Sequence, residues 1–431
     1  MLPVLAVCPL LLGLPLALRS LTVAIAFAAV AVFVLAWGLF GLDRTAAGTM
    51  VAAFALAPCV KFVIPGFRFF DVSDGLFLVA IVLSIPRLVS RRIWLPQAFV
   101  LGSLAFVTMV VLASANSATP AQSYIYGGRV VLAMIAIPAL LVWWRPQGKL
   151  LVTLALAYTM GTGVSVLVGL TQEGSRSTGL TYHPNVLGYT AVLTLSLVPF
   201  LARALSKPYR TPICVAVFVV AFVGIMTSGS RAALITALFL IVLVPAVERS
   251  ILAALAVVGA GLMALLYVPQ RFGSGEGNDA LSRLLGGGGA EGSNTARLNS
   301  VERTWEVALD HPFLGVGFSF SDFFTHNAYV QIAADSGFIG LAAFAAVGAS
   351  MIMPLFSYHG VHSRLVFPAV VFLFAAPVSP NLTDRYIGIL WGLSLVGAVA
   401  VHEARRKSRQ DSSAMAPTGE PLTPVAQPPW R

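Results

Sequence analysis

Residues Gly315–Leu341 read GVGFSFSDFFTHNAYVQIAADSGFIGL, and the organisation of the whole chain depends on this stretch. It joins the chain's one long polar segment, residues 269–325, to a long apolar run, and it gathers His, Asn, Asp, Tyr and Gln side chains at the junction. Most of the remaining sequence is apolar. Polar side chains concentrated at the start of an apolar helix predict a membrane protein whose chemistry lies at a water–lipid boundary.

The composition is that of a membrane protein. Of 431 residues, 58% are hydrophobic and only 10% are charged, and the mean hydropathy is +0.87. A soluble protein of this length needs more charge to cover its surface. Apolar runs of about 18 residues or more recur, each long enough to span a bilayer as a helix, and the alternation of a barrel is absent. The sequence therefore predicts an all-α polytopic membrane protein with one transmembrane domain, residues 1–402, and a disordered cytoplasmic tail, residues 403–431.

We expect about 12 to 14 spanning helices. The candidate spans are 2–18, 21–42, 46–63, 72–86, 97–115, 124–144, 150–170, 185–202, 212–228, 232–247, 250–268, 329–356, 364–378 and 386–402. Lys and Arg cluster in alternate short loops, which places those loops and both termini in the cytoplasm. The long loop 269–328 then faces the extracytoplasmic side.

Within that loop, residues Thr295–Asp310 predict an amphipathic helix. Leu298, Val301, Trp305 and Leu309 recur at helical spacing, so we expect this apolar stripe to rest on the membrane domain. Either Asn294 or Thr295 is expected to cap the N-terminus.

Several function classes are excluded by the residues present. Much of the net charge of +10 comes from Lys and Arg in the short loops that set the membrane topology. No basic patch alternates with aromatic residues, so nucleic-acid binding is not expected. The three cysteines, Cys8, Cys59 and Cys214, lie in apolar runs without metal-ligand spacing. The acidic residues predicted to face outward are scattered, so no metal site is expected.

The polar groups that topology places on the outer face include several arginines. They are Arg176, His183, Asn185, Arg231, Arg297, His326, Asn327, Asp384 and Arg385. Arg231 is the most informative, because it follows the break Ser228–Ser230 and precedes an apolar run; a charge at the centre of a membrane helix costs about 2.5–3.5 kcal/mol on insertion scales. Arginines facing one pocket predict a phosphate ligand, since one guanidinium can donate two parallel hydrogen bonds to two phosphate oxygens. The alternatives are that Arg231 reaches the interface from a helix end, or that the arginines pair with Asp384, Asp335 or Glu302.

His326 is the candidate for proton transfer. A histidine with an ordinary pKa of about 6.5 is largely neutral at neutral pH and can accept a proton. Asn327 is adjacent and Gln331 follows within two turns. His183 precedes a proline at another predicted helix start and is a secondary candidate.

In four stretches, taken in order, the chain resembles the O-antigen ligase and polysaccharide polymerase superfamily of polytopic membrane glycosyltransferases. These are SRSTG (175–179) with HPN (183–185), TSGSRAA (227–233), Arg297 with Trp305, Pro312, Gly315 and Gly317, and HNAYVQ (326–331) with Asp335, Gly337 and Gly340. The glycine-rich insert before Arg297 is not part of these motifs.

The resemblance implies a C-type glycosyltransferase architecture and an inverting transfer that needs no metal or other cofactor. The partners would be a polyprenyl-diphosphate-linked glycan donor, a glycan or lipid-glycan acceptor, and the bilayer of the cytoplasmic (inner) membrane. It implies that Arg231 and Arg297, with Arg176, hold the diphosphate. His326 would deprotonate or orient the acceptor hydroxyl. Asn327, Gln331, Asp384 and His183 are secondary site candidates.

Two other function classes remain open at this point. A transporter or flippase of a lipid-linked glycan predicts ionisable residues deep within several helices, for which Arg129 is the main candidate. A non-catalytic assembly protein predicts that substitutions of His326 and the arginines are silent. Within the enzyme class, the motifs do not separate a polymerase from a ligase.

Overall fold

The computed structural model describes residues 35–62, 71–89, 93–173, 176–249, 280–284, 290–318, 325–357, 360–378 and 384–414. The helices in these ranges are α1 Leu42–Leu56, α2 Val72–Leu88, α3 Gln97–Ala115, α4 Pro120–Val131, α5 Ile137–Trp144, α6 Lys149–Leu170, α7 Pro184–Leu195, α8 Val198–Ala204, α9 Lys207–Ser228, α10 Arg231–Glu248, α11 Ala280–Leu284, α12 Ala290–Asp310, α13 Ala328–Ser357, α14 Phe367–Ala375 and α15 Arg385–Ala414. A π-helical turn, Leu132–Ala136, joins α4 to α5, and 3-10 turns at Val361–Val366 and Ala376–Val378 flank α14.

In the described part of the chain, nine helical segments are long and apolar enough to cross a membrane. They are Gln97–Ala115, Pro120–Trp144, Lys149–Leu170, Pro184–Ala204, Lys207–Ser228, Arg231–Glu248, Ala328–Phe356, Val361–Val378 and Tyr386–Ser408. The polytopic all-α class is therefore confirmed. Helix α1, with 15 residues, and helix α2, with 17 residues, occupy two further predicted spans but are shorter than these nine segments. The predicted spans 2–18 and 250–268 and most of 21–42 lie outside the described residues, so the total of about 12 to 14 stays a prediction.

The predicted break before Arg231 is present and separates α9 from α10. Gly229 has φ +61°, a left-handed conformation that glycine adopts without strain, and it terminates α9. The side chain of Ser230 then caps α10 by accepting a hydrogen bond from the backbone N–H of Ala233 at 3.4 Å. Arg231 is consequently the first residue of α10, at one end of a membrane span.

A second break lies inside α13, at Gly337, where φ is +70°. The loop that follows α12 supplies hydrogen bonds to this break: Val316 N–H donates to Ala334 O at 2.9 Å, and Phe338 N–H donates to Pro312 O at 2.8 Å. A Cβ atom at position 337 would lie 2.3 Å from Phe313 O, so only glycine fits. The contact fixes the end of α12 against the first half of α13.

Helix α12 differs from its prediction in its start and in the face that packs. It begins at Ala290, so neither Asn294 nor Thr295 caps it. The predicted apolar stripe is wrong in part: Trp305 contacts Phe338 of α13, with ring centroids 5.7 Å apart, but Leu298 is 69% exposed and Leu309 is 55% exposed. The buried positions are Thr304 and Ala308 instead.

The physical reason for this packing is the size of the side chains. Ala308 packs against Ala333 and Ala334 of α13, and small residues let two helices approach closely. Arg297 is partly buried. The spacing of Arg297, Thr304 and Ala308 is seven and four residues, so all three share one face. The arginine is therefore carried on the inward face.

The last helix, α15, extends beyond the predicted end of the transmembrane domain at 402 and reaches Ala414. Residues 403–414, expected to begin a disordered tail, are a continuation of this helix, and residues 415–431 lie outside the described ranges. In its second turn, Trp391 is buried and its indole N–H donates to Met134 O at 3.0 Å. The helix is thus anchored in the core of the bundle.

An ion cluster lies at the end of α10 opposite to Arg231. Arg364 has 0% exposure, and its Nε lies 2.5 Å from Glu248 Oε1. Arg203 pairs with the same carboxylate. A buried arginine is tolerated here because it is paired.

Candidate functional site

Four arginines come together at the break between α9 and α10. Arg231 begins α10, Arg176 precedes α7, Arg283 lies on the five-residue helix α11, and Arg297 lies on α12. We call these four residues the arginine cluster. The pKa of Arg176 is lowered by burial and then by the charges of the other three arginines.

Arg176, in the loop between α6 and α7, is hydrogen-bonded to both α9 and α7. Arg176 Nε donates to Ser228 O at 2.9 Å, and its Nη2 donates to Asn185 Oδ1 at 2.7 Å. The side chain of Gln172 holds the other side of the loop, where its Oε1 accepts from the backbone N–H of Thr178 at 3.0 Å. The guanidinium is therefore fixed between the break and the start of α7.

Arg231 connects α10 to α12. Its Nη2 donates to Asn294 Oδ1 at 2.7 Å. Asn294 precedes Arg297 by three residues, about one helical turn. This bond explains how two arginines far apart in sequence come to one place.

Arg283 was not predicted as a site residue. It is 8% exposed, and its Nη1 donates to Gly229 O at 2.9 Å. It lies in the glycine-rich insert, outside every motif, and the position of Arg283 in the chain carries no signal of its burial. Only the folded chain shows its contact with the break.

The arginine cluster concentrates positive charge in a partly buried site. Burial, followed by the charges of Arg283, Arg297 and Arg231, lowers the pKa of Arg176 to about 10. Burial is also the largest cause of the lowered pKa of Arg297, followed by Arg231 and Arg283. Guanidinium remains protonated at neutral pH. Like charges held together in a partly dehydrated site favour the binding of an anion, which would reduce their repulsion.

Two histidines adjoin the cluster. The pKa of His326 is lowered from 6.5 by burial, then by Arg297 and by His183. The pKa of His183 is lowered by burial, then by Arg176 and by Arg297. Both imidazoles are consequently neutral at physiological pH. His183 Nδ1 accepts a hydrogen bond from Asn185 N–H at 3.1 Å, so its Nε2 carries the proton.

Asn327 and Gln331 hold the backbone around His326. Asn327 Oδ1 accepts from Tyr329 N–H at 3.1 Å and from Val330 N–H at 3.2 Å, which caps α13. Gln331 is buried; its Oε1 accepts from Thr325 N–H at 3.0 Å and its Nε2 donates to Asp335 Oδ1 at 2.9 Å. Both side chains therefore fix the position of His326 from the two sides of that residue.

Asp384 lies next to the loop that carries His183. Tyr182 OH donates to Asp384 Oδ2 at 2.6 Å, which joins the segment before α15 to the start of α7. Asp384 as a whole is partly buried. In the parts of the chain that the structure describes, no group of three or more His, Cys, Asp or Glu side chains could hold a metal ion.

The fold and site define a polytopic helical membrane protein with a cationic site at one end of its spans. Residues 216–345 match a family model described as O-antigen ligase, and this match supports membership of the chain in an O-antigen ligase-like superfamily. A search of curated proteins found no match. The matched region contains Arg231, Arg283, Arg297 and His326, whereas Arg176 precedes it.

Proposed function

We propose that this protein is a glycosyltransferase that transfers or polymerises a polyprenyl-diphosphate-linked glycan onto an acceptor at the outer face of the cytoplasmic membrane. The observation that carries the proposal is the convergence of Arg176, Arg231 and Arg297 at the α9–α10 break: Arg176 bonds to Ser228 O, and Arg231 bonds to Asn294, one turn from Arg297. His326 lies close enough that, after burial, the charge of Arg297 lowers its pKa. Family membership supplies the glycan and membrane setting.

The donor is recognised by its diphosphate. Each guanidinium can form two parallel hydrogen bonds to phosphate oxygens. The first turn of α10 adds the positive end of a helix dipole beside Arg231. Because Arg231 lies at the end of a membrane span, a diphosphate bound there leaves the polyprenyl chain free to lie in the bilayer.

The reaction is a single displacement. The acceptor hydroxyl oxygen attacks the anomeric carbon from the side opposite the diphosphate, and a new carbon–oxygen bond forms as the bond from that carbon to the diphosphate oxygen breaks. The hydroxyl proton passes to the neutral imidazole of His326, and polyprenyl diphosphate leaves with the bonding electron pair. One displacement inverts the anomeric configuration.

The arginine cluster stabilises the leaving group. Negative charge develops on the diphosphate as its bond breaks, and donors already oriented toward that charge lower the barrier. In this proposal the arginines perform the role that a divalent cation has in many diphosphate-dependent transferases, so activity is metal-independent. His183 and Asp384, at the edge of the site, are proposed to contact the sugars.

The orientation rests on the positive-inside rule. The basic loops and both termini are assigned to the cytoplasm, which places the arginine cluster at the outer face. The acceptor, a glycan or lipid-linked glycan, then approaches from the aqueous side near α12.

The test compares the site variants Arg231→Ala, Arg297→Ala and His326→Ala with matched controls in cells that lack the native copy. Arg303 lies exposed on the same helix as Arg297, and His311 is exposed just after it, so Arg303→Ala and His311→Ala are the controls. We expect the three site variants to insert normally but to accumulate lipid-linked donor, and the controls to make normal product. Normal product from Arg231→Ala and His326→Ala would refute the site.

A reconstituted assay separates the remaining classes. Purified protein with the lipid-linked donor alone yields elongated lipid-linked glycan if it is a polymerase, and yields transfer only after a second acceptor is added if it is a ligase. Movement of the donor across liposomes without sugar transfer would identify a flippase instead.

A further inference from the structure

We propose that Arg283 is a further diphosphate-binding residue of this site, held against the α9–α10 break by Gly229 and directing its Nε–H toward the phosphate. The inference rests on the proposed glycosyltransferase function and adds a ligand-binding residue that lies outside every motif of the sequence. It assigns a binding role to the described part of the glycine-rich insert.

The first observation is the hydrogen bonding of a buried charge. Arg283 is 8% exposed, and its Nη1 donates to Gly229 O at 2.9 Å. Its buried Nε has no hydrogen-bond partner among the residues that the structure describes. A buried charged donor without an acceptor is unfavourable, and a phosphate oxygen would supply the acceptor.

The second observation concerns the positive charges around Arg283. Arg283 lies within electrostatic reach of Arg176, Arg231 and Arg297. A fourth arginine placed next to three others increases their repulsion unless an anion binds among them. A diphosphate carries more than one negative charge and offers several acceptor oxygens, which matches four guanidinium groups better than a single carboxylate does.

The third observation concerns Gly229, the residue to which the Arg283 side chain is hydrogen-bonded. Gly229 terminates α9 and stands two residues before Arg231. A role in capping the end of α9 accounts for the Nη1 bond, but not for the buried Nε. The same attachment holds the guanidinium beside the first turn of α10, where Arg231 begins the diphosphate site.

The experiment measures binding of farnesyl diphosphate to the purified full-length protein in detergent by titration calorimetry. The variants are Arg283→Gln, which retains a donor but no charge, and Arg283→Lys, which retains the charge. Leu284→Ala, at the exposed neighbouring position on α11, is the matched control. Arg231→Gln and Arg297→Gln test the proposed site itself, and thermal unfolding is recorded for every variant.

We expect Arg283→Gln to weaken farnesyl diphosphate binding by about 10-fold to 100-fold, as the loss of one charge-assisted hydrogen bond requires. Arg283→Lys should recover most of the affinity, and Leu284→Ala should bind as the native protein does. Native-like affinity of Arg283→Gln would overturn the inference. So would equal losses in Arg283→Gln and Arg283→Lys that track a lower unfolding temperature, because that result assigns a capping role only. If Arg231→Gln and Arg297→Gln also retain full affinity, the proposed diphosphate site fails as a whole.

Discussion

Arg231 and Asn294 are joined by a hydrogen bond of 2.7 Å from Nη2 to Oδ1, across 63 positions of the chain. The bond connects the first residue of a membrane span to the helix that carries Arg297 about one turn later. Because each arginine is held relative to the other, the distance between two of the proposed phosphate-binding groups is set before any ligand binds. Preorganised donors of this kind are more effective than donors that must be oriented during the reaction.

The first prediction concerns this bond. Asn294→Ala should raise the KM for the lipid-linked donor by about 2-fold to 10-fold, since a net hydrogen-bond contribution is about 0.5–1.5 kcal/mol. The kcat should change little, because no group that touches the reacting carbon is removed. Steady-state kinetics with purified donor measures both constants. Asn299→Ala, at an exposed position on the same helix, is the control, and equal effects of the two substitutions would contradict the assigned role.

The second prediction concerns the pH dependence of His326. Its pKa is lowered from 6.5, chiefly by burial and then by Arg297, so the imidazole is neutral and able to accept a proton down to pH values below 6.5. The kcat/KM reports the free enzyme. It should therefore be level above pH 6.5 and should fall as the pH drops through the lowered pKa.

Two variants test whether this fall of kcat/KM at low pH, the acidic limb of the profile, comes from His326. His326→Ala should reduce kcat by about 100-fold to 10,000-fold and abolish the limb. The residual activity of Arg297→Gln should show the limb at a higher pH, since a positive charge that lowers the pKa of His326 is removed. An unchanged limb in His326→Ala would assign it to another group.

The third prediction concerns the break in α13. Gly337→Ala places a side chain at φ +70° and a Cβ atom 2.3 Å from Phe313 O. The backbone strain alone costs about 1–3 kcal/mol, so the unfolding temperature should fall and activity should decline with it. Gly128→Ala is the control, because a Cβ atom at that helical position meets no atom within 4 Å. A Gly337→Ala protein as stable as the control would show that the break is not required.

The fourth prediction compares a buried ion pair with an exposed one. Glu248→Gln leaves Arg364, with 0% exposure, without its carboxylate, and should destabilise the protein by about 3–5 kcal/mol. Glu403→Gln removes the carboxylate partner of Arg145. Both side chains of this pair are exposed, so the substitution should lower the free energy of unfolding by only about 0–1 kcal/mol. Thermal unfolding in detergent ranks the two variants, and equal stabilities would contradict the importance of the buried pair.

The start of α10 shows how well local signals work in this chain. Gly229 permits the left-handed turn, Ser230 caps the next helix, and the hydrophobic run then begins, so the break before Arg231 was predictable from neighbouring residues. The start of α7 at Pro184 was predictable for the same reason. These features depend on residues within one turn of each other.

The packing of α12 shows where such signals fail. The stripe of Leu298, Trp305 and Leu309 would pack inward in a soluble protein, since water drives apolar faces together. In a membrane protein the packing face often carries small residues, because close approach of helices matters more than burial of apolar area. Here Ala308 packs on α13 and Trp305 contacts Phe338, while Leu298 and Leu309 point outward. Which face points inward depends on the neighbouring helix, which the periodicity does not contain.

By itself, the sequence determined that the chain is a helical membrane protein, where several helices begin and end, and which polar residues stand at their ends, because hydropathy and helix caps act over short distances. Only the tertiary structure decided that Arg283 lies beside the break at Gly229, 54 positions earlier, and that Arg364 pairs with Glu248. The physical reason is that the charge environment of an arginine is set by groups that approach from other helices, and their approach depends on how the whole bundle packs.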